Sequence, residues 1–256
     1  MRPLDRRSLL ALLPLLLGAP AALAQDNNWP SRPIRMVVPF PPGGSSDILG
    51  RLLADQMGKL LGASIVVENK PGGTTQVGTE LVANAAPDGY TMLLGASTAF
   101  TLLPNLRKLN FSLDSFEVLG GVADYMAIMA VKKQLDIHDM KQFVAHAKKN
   151  PGKLSFGSAG EASAGHIYGA TLARDTGIEV LHVPFRGSAD AANALVAGEI
   201  DFIIDGAITF MAKAERVVPL ATFYRKRHPG LPHLPTLSEA GFDIAMSKGA
   251  GWSVLV

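Results

Sequence analysis

The stretch Val37–Met57, VVPFPPGGSSDILGRLLADQM, decides the fold class. An apolar strand, Ile34–Val38, runs into a proline- and glycine-rich turn, and a helix follows over Ser46–Leu61. Ile48, Leu49, Leu52, Leu53, Met57, Leu60 and Leu61 recur at helical spacing and are expected on one face. Gly62 ends the helix as a C-terminal glycine does. A strand followed at once by a helix start presents unpaired backbone N–H groups, which suit an anion. The same residues also make an ordinary tight turn, so the rest of the chain has to decide.

The pattern repeats. Ile65–Glu68 reads as a strand, Thr75–Ala85 as a helix and Tyr90–Leu94 as a strand opening into Gly95-Ala96-Ser97-Thr98. A second unit follows, with a strand over Tyr125–Val131, a helix over Asp139–Lys149 and a strand over Leu154–Gly157. Ala162–Thr176 is a helix, Glu179–Val183 a strand, Ala189–Ala197 a helix and Phe202–Ile204 a strand. Ile208–Ala214 is a weak helix and Val218–Phe223 a strand, and Thr236 and Glu239 form a capping box over a short helix closed by Gly241. Alternation of this kind predicts an α/β protein with mainly parallel strands. Two units of similar size are expected: residues 30–123 with 245–256, and residues 124–244. No flexible linker parts them. Ligands of open α/β sheets sit beyond the carboxyl ends of the strands, so two such units frame a cleft. Gly251–Val256 reads as a strand that begins where the chain stops, as in a fragment.

Residues 1–24 read as a secretory signal: Arg2, Arg6 and Arg7, the apolar run Leu9–Leu17, then Ala22-Leu23-Ala24 before Gln25. The run is too short for a membrane span, which needs roughly 20 apolar residues. The Arg6-Arg7 pair suits twin-arginine export, and a general export signal fits as well. Those 24 residues hold three arginines and one aspartate, so 24 basic and 22 acidic residues become 21 and 21 after cleavage. A near-neutral chain lacks the basic field of a nucleic-acid binder. There is no cysteine, so neither disulfides nor thiolate metal sites support this exported chain, and packed cores must.

Three loops share a composition: Gly43-Gly44-Ser45-Ser46, Gly95-Ala96-Ser97-Thr98 and Gly157-Ser158-Ala159-Gly160. Each follows a strand and leads to a helix start or turn. Small residues let a carboxylate approach the backbone, and hydroxyls add donors. Singly, each serine is a helix cap; together, three such loops can form a joint anion site. Asp47, in the first helical turn, offsets the helix dipole. Arg186 could pair with a carboxylate through two N–H groups or stand solvated in its loop. Asp205 ends a strand on the cleft side, where it either accepts a backbone N–H or selects a polar group of a ligand. His166 lies within a helix, and no histidine spacing suits a metal. Phe40, Phe100 and Phe185 are plausible apolar walls.

Enzyme signatures are thin. Gly95-Ala96-Ser97-Thr98-Ala99 falls one residue short of the hydrolase elbow G-x-S-x-G, and a triad would need Ser97, Asp205 and His228 or His233. The dinucleotide and Walker phosphate-loop glycine patterns are absent.

The segments WPSRPIRMVVPFPPGGSSDILGRLLADQM, VVENKPGG, APDGYTMLLG, NPGKLSFGSAG with His166 downstream, VLHVPFRGSADA and LPHLPTLSEAG resemble, in order, the substrate-binding receptors of tripartite tricarboxylate transporters, the Bug receptor family. The resemblance covers nearly all of Trp29–Val256. It implies a two-domain, type II-like periplasmic-binding-protein fold that closes on a small organic acid in a cleft between the domains. It implies a periplasmic monomer with its signal cleaved near Ala24, which delivers its ligand to a membrane permease without cofactor, metal or catalysis. The binding positions it implies are Phe40, Gly43, Gly44, Ser45, Ser46, Ser97, Thr98, Ser158, Ala159, Gly160, Ser163, His166, Phe185, Arg186 and Gly187; Asp205 is added from its place at a strand end. Two departures stand out. Where the family continues VVENKPGG with small residues and Asn-Ile-Gly, this chain has Thr74-Thr75-Gln76-Val77-Gly78. Glu161 stands beside the expected anion site, so the ligand is expected to be less acidic than a tricarboxylate unless Glu161 points outward. Members also continue past Val256 with a turn and a helical tail. An exported serine hydrolase and a sensing receptor acting through a signalling partner are the alternatives.

Overall fold

The computed structural model describes residues 29–244 and 250–256. The expected export signal lies outside the described residues, as does 245–249 of the returning segment. In chain order the first half comprises β1 (Ile34–Val38), α1 (Ser45–Leu61), β2 (Ile65–Asn69), α2 (Gln76–Ala83), β3 (Thr91–Ala96), α3 (Thr98–Thr101), α4 (Leu103–Leu106) and β4 (Val118–Tyr125). The second half comprises β5 (Ala127–Val131), α5 (Met140–Lys149), β6 (Leu154–Ser158), α6 (Ala164–Thr176), β7 (Val180–Pro184), α7 (Ser188–Ala197), β8 (Phe202–Asp205), α8 (Ile208–Lys213), β9 (Val218–Phe223) and β10 (Ala250–Leu255).

Two five-stranded sheets result, ordered β2-β1-β3-β10-β4 and β7-β6-β8-β5-β9. Each has three parallel strands. A visiting strand then enters antiparallel to both its neighbours. Four of the five strands in each sheet therefore run the same way, the mainly parallel arrangement expected, with one reversed strand in each. The visitors are the chain's own crossings: β4 of the first sheet passes into β5 of the second across Met126 alone, and β10 returns from β9 to the first. The lobes therefore share one topology and are joined by two passages, an arrangement suited to hinge closure. β1 lies between β2 and β3 and carries Ile34, Met36, Val37 and Val38 fully buried, covered on both faces from Met36 onward, while Arg35 is exposed near its start and pairs with Glu68 of β2. One core cluster runs from Met36 and Leu94 through Tyr125 and Trp252 to Phe143, Phe156 and Phe202.

Two local expectations change, and one strand forms that no local pattern marked. The inward face of α1 is Ser46, Asp47, Gly50 and Ala54, with Leu49, Leu53 and Met57 partly buried. Ile48, Leu52 and Leu60 are exposed, Leu60 by 87%. The cause is close approach: a Cβ at Gly50 would lie 2.8 Å from Val38 Cγ2, so the helix rests on its small residues. Val118–Tyr125 is a strand despite Gly120-Gly121, held as an edge by β10. Thr236 and Glu239 do exchange capping bonds, but they close a turn and no helix follows.

Candidate functional site

The carboxyl ends of the strands from both lobes meet around one cleft with a cavity volume of about 60 Å³. From the first lobe, the β1–α1 loop supplies Phe40, Pro41, Gly44, Ser45 and Ser46; the β2–α2 loop, Thr74 and Thr75; the end of β3, Ala96, Ser97 and Thr98. Tyr125 of β4 and Gly251 and Trp252 of β10 close the back. From the second lobe come Ala159, Ser163, Ala164 and Gly165 before and in α6, Gly187 and Ser188 at α7, and Asp205 of β8. No lysine, arginine or histidine lines this cleft among the described residues. Its positive potential comes instead from the starts of α1, α3, α6 and α7, whose first amides have no carbonyl behind them.

Each helix start is fixed by a specific contact. Asp47 is 4% exposed. It accepts from Gly43 N–H at 2.9 Å, Asn69 Nδ2 at 2.9 Å and Arg51 Nε at 3.0 Å, while Asn69 also donates to the Phe40 carbonyl at 3.0 Å. The carboxylate thus stitches the loop ahead of α1 to β2. Burial pushes Asp47 toward protonation, but the hydrogen bonds from Arg51, Gly43 and Asn69 outweigh it and hold the carboxyl below the usual 3.8. Ser46 Oγ accepts from Trp252 Nε1 at 3.0 Å, tying α1 to β10. At α6, Ser163 caps the helix by accepting from His166 N–H at 3.4 Å.

Asp205 is buried. It accepts from Ser188 Oγ at 2.7 Å and Ala207 N–H at 2.8 Å, which positions the starts of α7 and α8. Burial raises its pKa against those two bonds. Beside it, Tyr125 accepts from Gly206 N–H at 3.0 Å and meets the Trp252 ring edge-on at 5.1 Å.

Several sequence-expected residues stand elsewhere. Gly43 shapes its turn at φ 84° and gives its N–H to Asp47. Ser158 is fully buried; its hydroxyl donates to the Gly160 carbonyl at 2.9 Å and shares a 2.7 Å bond with His182 Nε2. His166 lies behind the loop, where its Nδ1 accepts from Ala162 N–H at 3.0 Å and its ring stacks on His182 at 3.8 Å and 4°. The stack requires neutral rings. Burial lowers both pKa values, and His182, further opposed by His166, falls to about 4. Gly160, Phe185 and Arg186 line the outer mouth. Arg186 is exposed there, which removes it from the inner wall. Glu161 is exposed and off the cleft wall. Of the residues expected at the site, Phe40, Gly44, Ser45, Ser46, Ser97, Thr98, Ala159, Ser163, Gly187 and Asp205 do line the cleft.

Sequence reading missed Thr74, Thr75, Tyr125, Ser188 and Trp252, which strands distant in the chain bring together. For Tyr125 the signal was an aromatic at a strand end. The hydrolase constellation does not assemble: Ser97 Oγ accepts from Gly251 N–H at 3.3 Å, His228 Nδ1 accepts from Gly230 N–H at 3.0 Å, and neither His228 nor His233 reaches the cleft.

The lobes touch across the opening. Thr74 Oγ1 donates to the Glu161 carbonyl at 2.9 Å, and a Cβ on Gly187 would meet the Pro41 ring at 3.1 Å. The conformation is a closed one.

Comparison with known proteins agrees with this architecture. Residues 49–253 match the sequence model described as "Tripartite tricarboxylate transporter family receptor". A protein of Pseudomonas sp. (strain P51), "UPF0065 protein in tcbD-tcbE intergenic region", is 36% identical over 249 residues, covering 94% of this chain and 74% of its own. Among solved structures, R. palustris Rpa4515 with adipate superposes with a TM-score of 0.84 at 30% identity, covering 90% of this chain and 78% of its own. The periplasmic binding protein BugD gives a TM-score of 0.79 at 33% identity, covering 89% of this chain and 77% of its own.

Proposed function

The chain belongs to the tripartite tricarboxylate transporter receptor family, and on that premise we propose that it captures a small dicarboxylate in the interlobe cleft and hands it to a membrane permease. One observation carries the reading: helix starts and hydroxyls from both lobes converge on a closed cleft whose wall bears no cationic side chain. Such a wall neutralises an acid through N–H and O–H donors. It asks little reorganisation of the protein, because the donors are fixed in advance by Asp47, Ser163 and Asp205. Adipate, the ligand named for Rpa4515, carries two carboxylates of the kind such N–H and O–H donors bind. The ligand contacts both lobes, so it favours the closed state in proportion to its differential affinity for it.

Residues 30–123 with 245–256 and residues 124–244 serve as the two closing lobes. Phe40, Gly44, Ser45, Ser46, Ser97, Thr98, Ala159, Ser163 and Gly187 face the ligand, while Gly43, Ser158, Gly160 and His166 shape the loops. Phe185 and Arg186 stand at the entrance, where the exposed guanidinium draws anions toward the opening. The protein works outside the cytoplasmic membrane as a monomer, and no bond of the ligand is made or broken.

Titration calorimetry of the full chain with succinate, malate, adipate and citrate tests this. Saturable 1:1 binding of at least one dicarboxylate, tighter than citrate, is expected. Binding of none, or release of product from ester substrates that stops in Ser97→Ala, would replace this reading.

A further inference from the structure

Thr74 and Thr75 break a backbone preference. Their φ angles are 56° and 78°, in the left-handed region where a β-branched side chain is an outlier, and strain of this kind concentrates at functional sites. Thr75 is also the N-cap of α2, yet its side chain accepts from no helix amide. A threonine at that position ordinarily caps the second or third N–H. Thr75 is 3% exposed, its Oγ1 is buried without any partner, and it lines both the inner cleft and the outer mouth. Ser45 Oγ is the second unpartnered hydroxyl on the same cleft wall. Thr74 points the other way and bonds the second lobe through the Glu161 carbonyl. The left-handed pair thus bonds one hydroxyl across the lobe gap and leaves the other without a partner on a residue that lines the cleft.

We propose that Thr75 is a specificity-determining ligand donor, whose hydroxyl, with that of Ser45, donates to one carboxylate group of the bound acid while Thr74 holds the lobes in the closure that brings it there. This rests on the acid-binding reading above and adds which groups select the acid. Two hydroxyl protons without acceptors call for a group rich in lone pairs, and an ionised carboxylate accepts at both oxygens. An ammonium or an alkyl end offers no acceptor and leaves both hydroxyls buried and unpaired, which is unfavourable. The subsite therefore selects an acceptor-only group. The strained backbone is what lets a side chain reach the cleft from a loop in which a glycine would leave the wall bare.

The test uses the full chain, with calorimetry against succinate, malate and adipate at pH 7.5. Thr75→Val keeps the shape and the branched Cβ but removes the donor. We expect its dissociation constant to rise about tenfold or more with an unchanged ligand-free melting temperature, whereas Thr75→Ser stays within about threefold of wild type. Should Thr75→Val fail to fold, Thr75→Ser and Thr75→Ala give the same comparison, and weakened binding in Thr75→Ala alone supports the assignment. Wild-type affinity in the hydroxyl-free variants overturns the role of Thr75 and leaves acid binding standing. A wild-type protein that binds none of the three acids overturns both.

Discussion

Asp47→Ala is expected to lower stability by about 1–3 kcal/mol and to weaken acid binding by about tenfold or more. The buried carboxylate accepts from Gly43 N–H and Asn69 Nδ2, and its removal takes the acceptor from the Gly43 amide and one of the two acceptors from the Asn69 amide group. Arg51 adds less, because its side chain is 56% exposed and its ion pair is screened by water. The binding loss follows from position: the loop that Asp47 holds carries Phe40, Pro41 and Gly44 of the cleft wall and leads to the amides at the start of α1. The acid limb gives a second signature. The folded pKa of Asp47 lies below its ordinary 3.8, so its contribution is full above about pH 4 to 5 and is lost as pH falls through the folded value. Urea unfolding of both proteins at pH 7 and at pH 3 measures this. The gap between them should be wide at pH 7 and narrower at pH 3. Equal stability at pH 7 would show that the loop is held by something other than this carboxylate.

Gly165→Leu is the second large effect. Gly165 lies in the first turn of α6, where a Cβ would stand 2.8 Å from the Ile204 carbonyl oxygen and 3.6 Å from Ser158 Cβ. Carbonyl oxygen is backbone and cannot swing aside, so the helix start must move away from β8. Overpacking of this kind costs about 1–3 kcal/mol. Displacing the Ala164 and Gly165 amides by an ångström should weaken the acid's dissociation constant about tenfold or more, since oriented donors lose strength steeply with distance and angle. Calorimetry with the best-bound dicarboxylate reads the affinity, and thermal melting reads the stability. Wild-type affinity in a destabilised Gly165→Leu protein would place the anion away from α6.

The α/β character was legible because local patterns carry it. Ile34–Val38 is apolar except for Arg35, and Gly62 and Gly177 end their helices in left-handed conformations. The mainly parallel direction was legible too, but the reversal of β5 and β10 was not, since these two take their places through pairings far apart in the chain and no local period encodes them. The face of α1 misled for a related reason. Leucine at helical spacing marks burial only where the helix stands off its sheet, and here Gly50 lets it settle so that Leu52 and Leu60 stay outside.

The site was half legible. Glycine and serine at strand ends marked the loops that carry Gly44, Ser45, Ser97 and Ser163 onto the cleft wall. His166 carried a residue type suited to ligand contact, but its inward stack on His182 could not be read from a chain in which the two stand 16 residues apart. Thr75 was visible only as a departure from small residues. Its role depends on a backbone angle that the sequence does not state.

The most direct test of the central claim is a crystal structure of the full chain with adipate. The account predicts one adipate molecule between the lobes, with carboxylate oxygens about 2.7–3.2 Å from backbone N–H groups at the starts of α1 and α6 and from the Ser45 and Thr75 hydroxyls. Adipate bound outside the cleft, or inside it with its carboxylates held by neither lobe's helix starts, would contradict it.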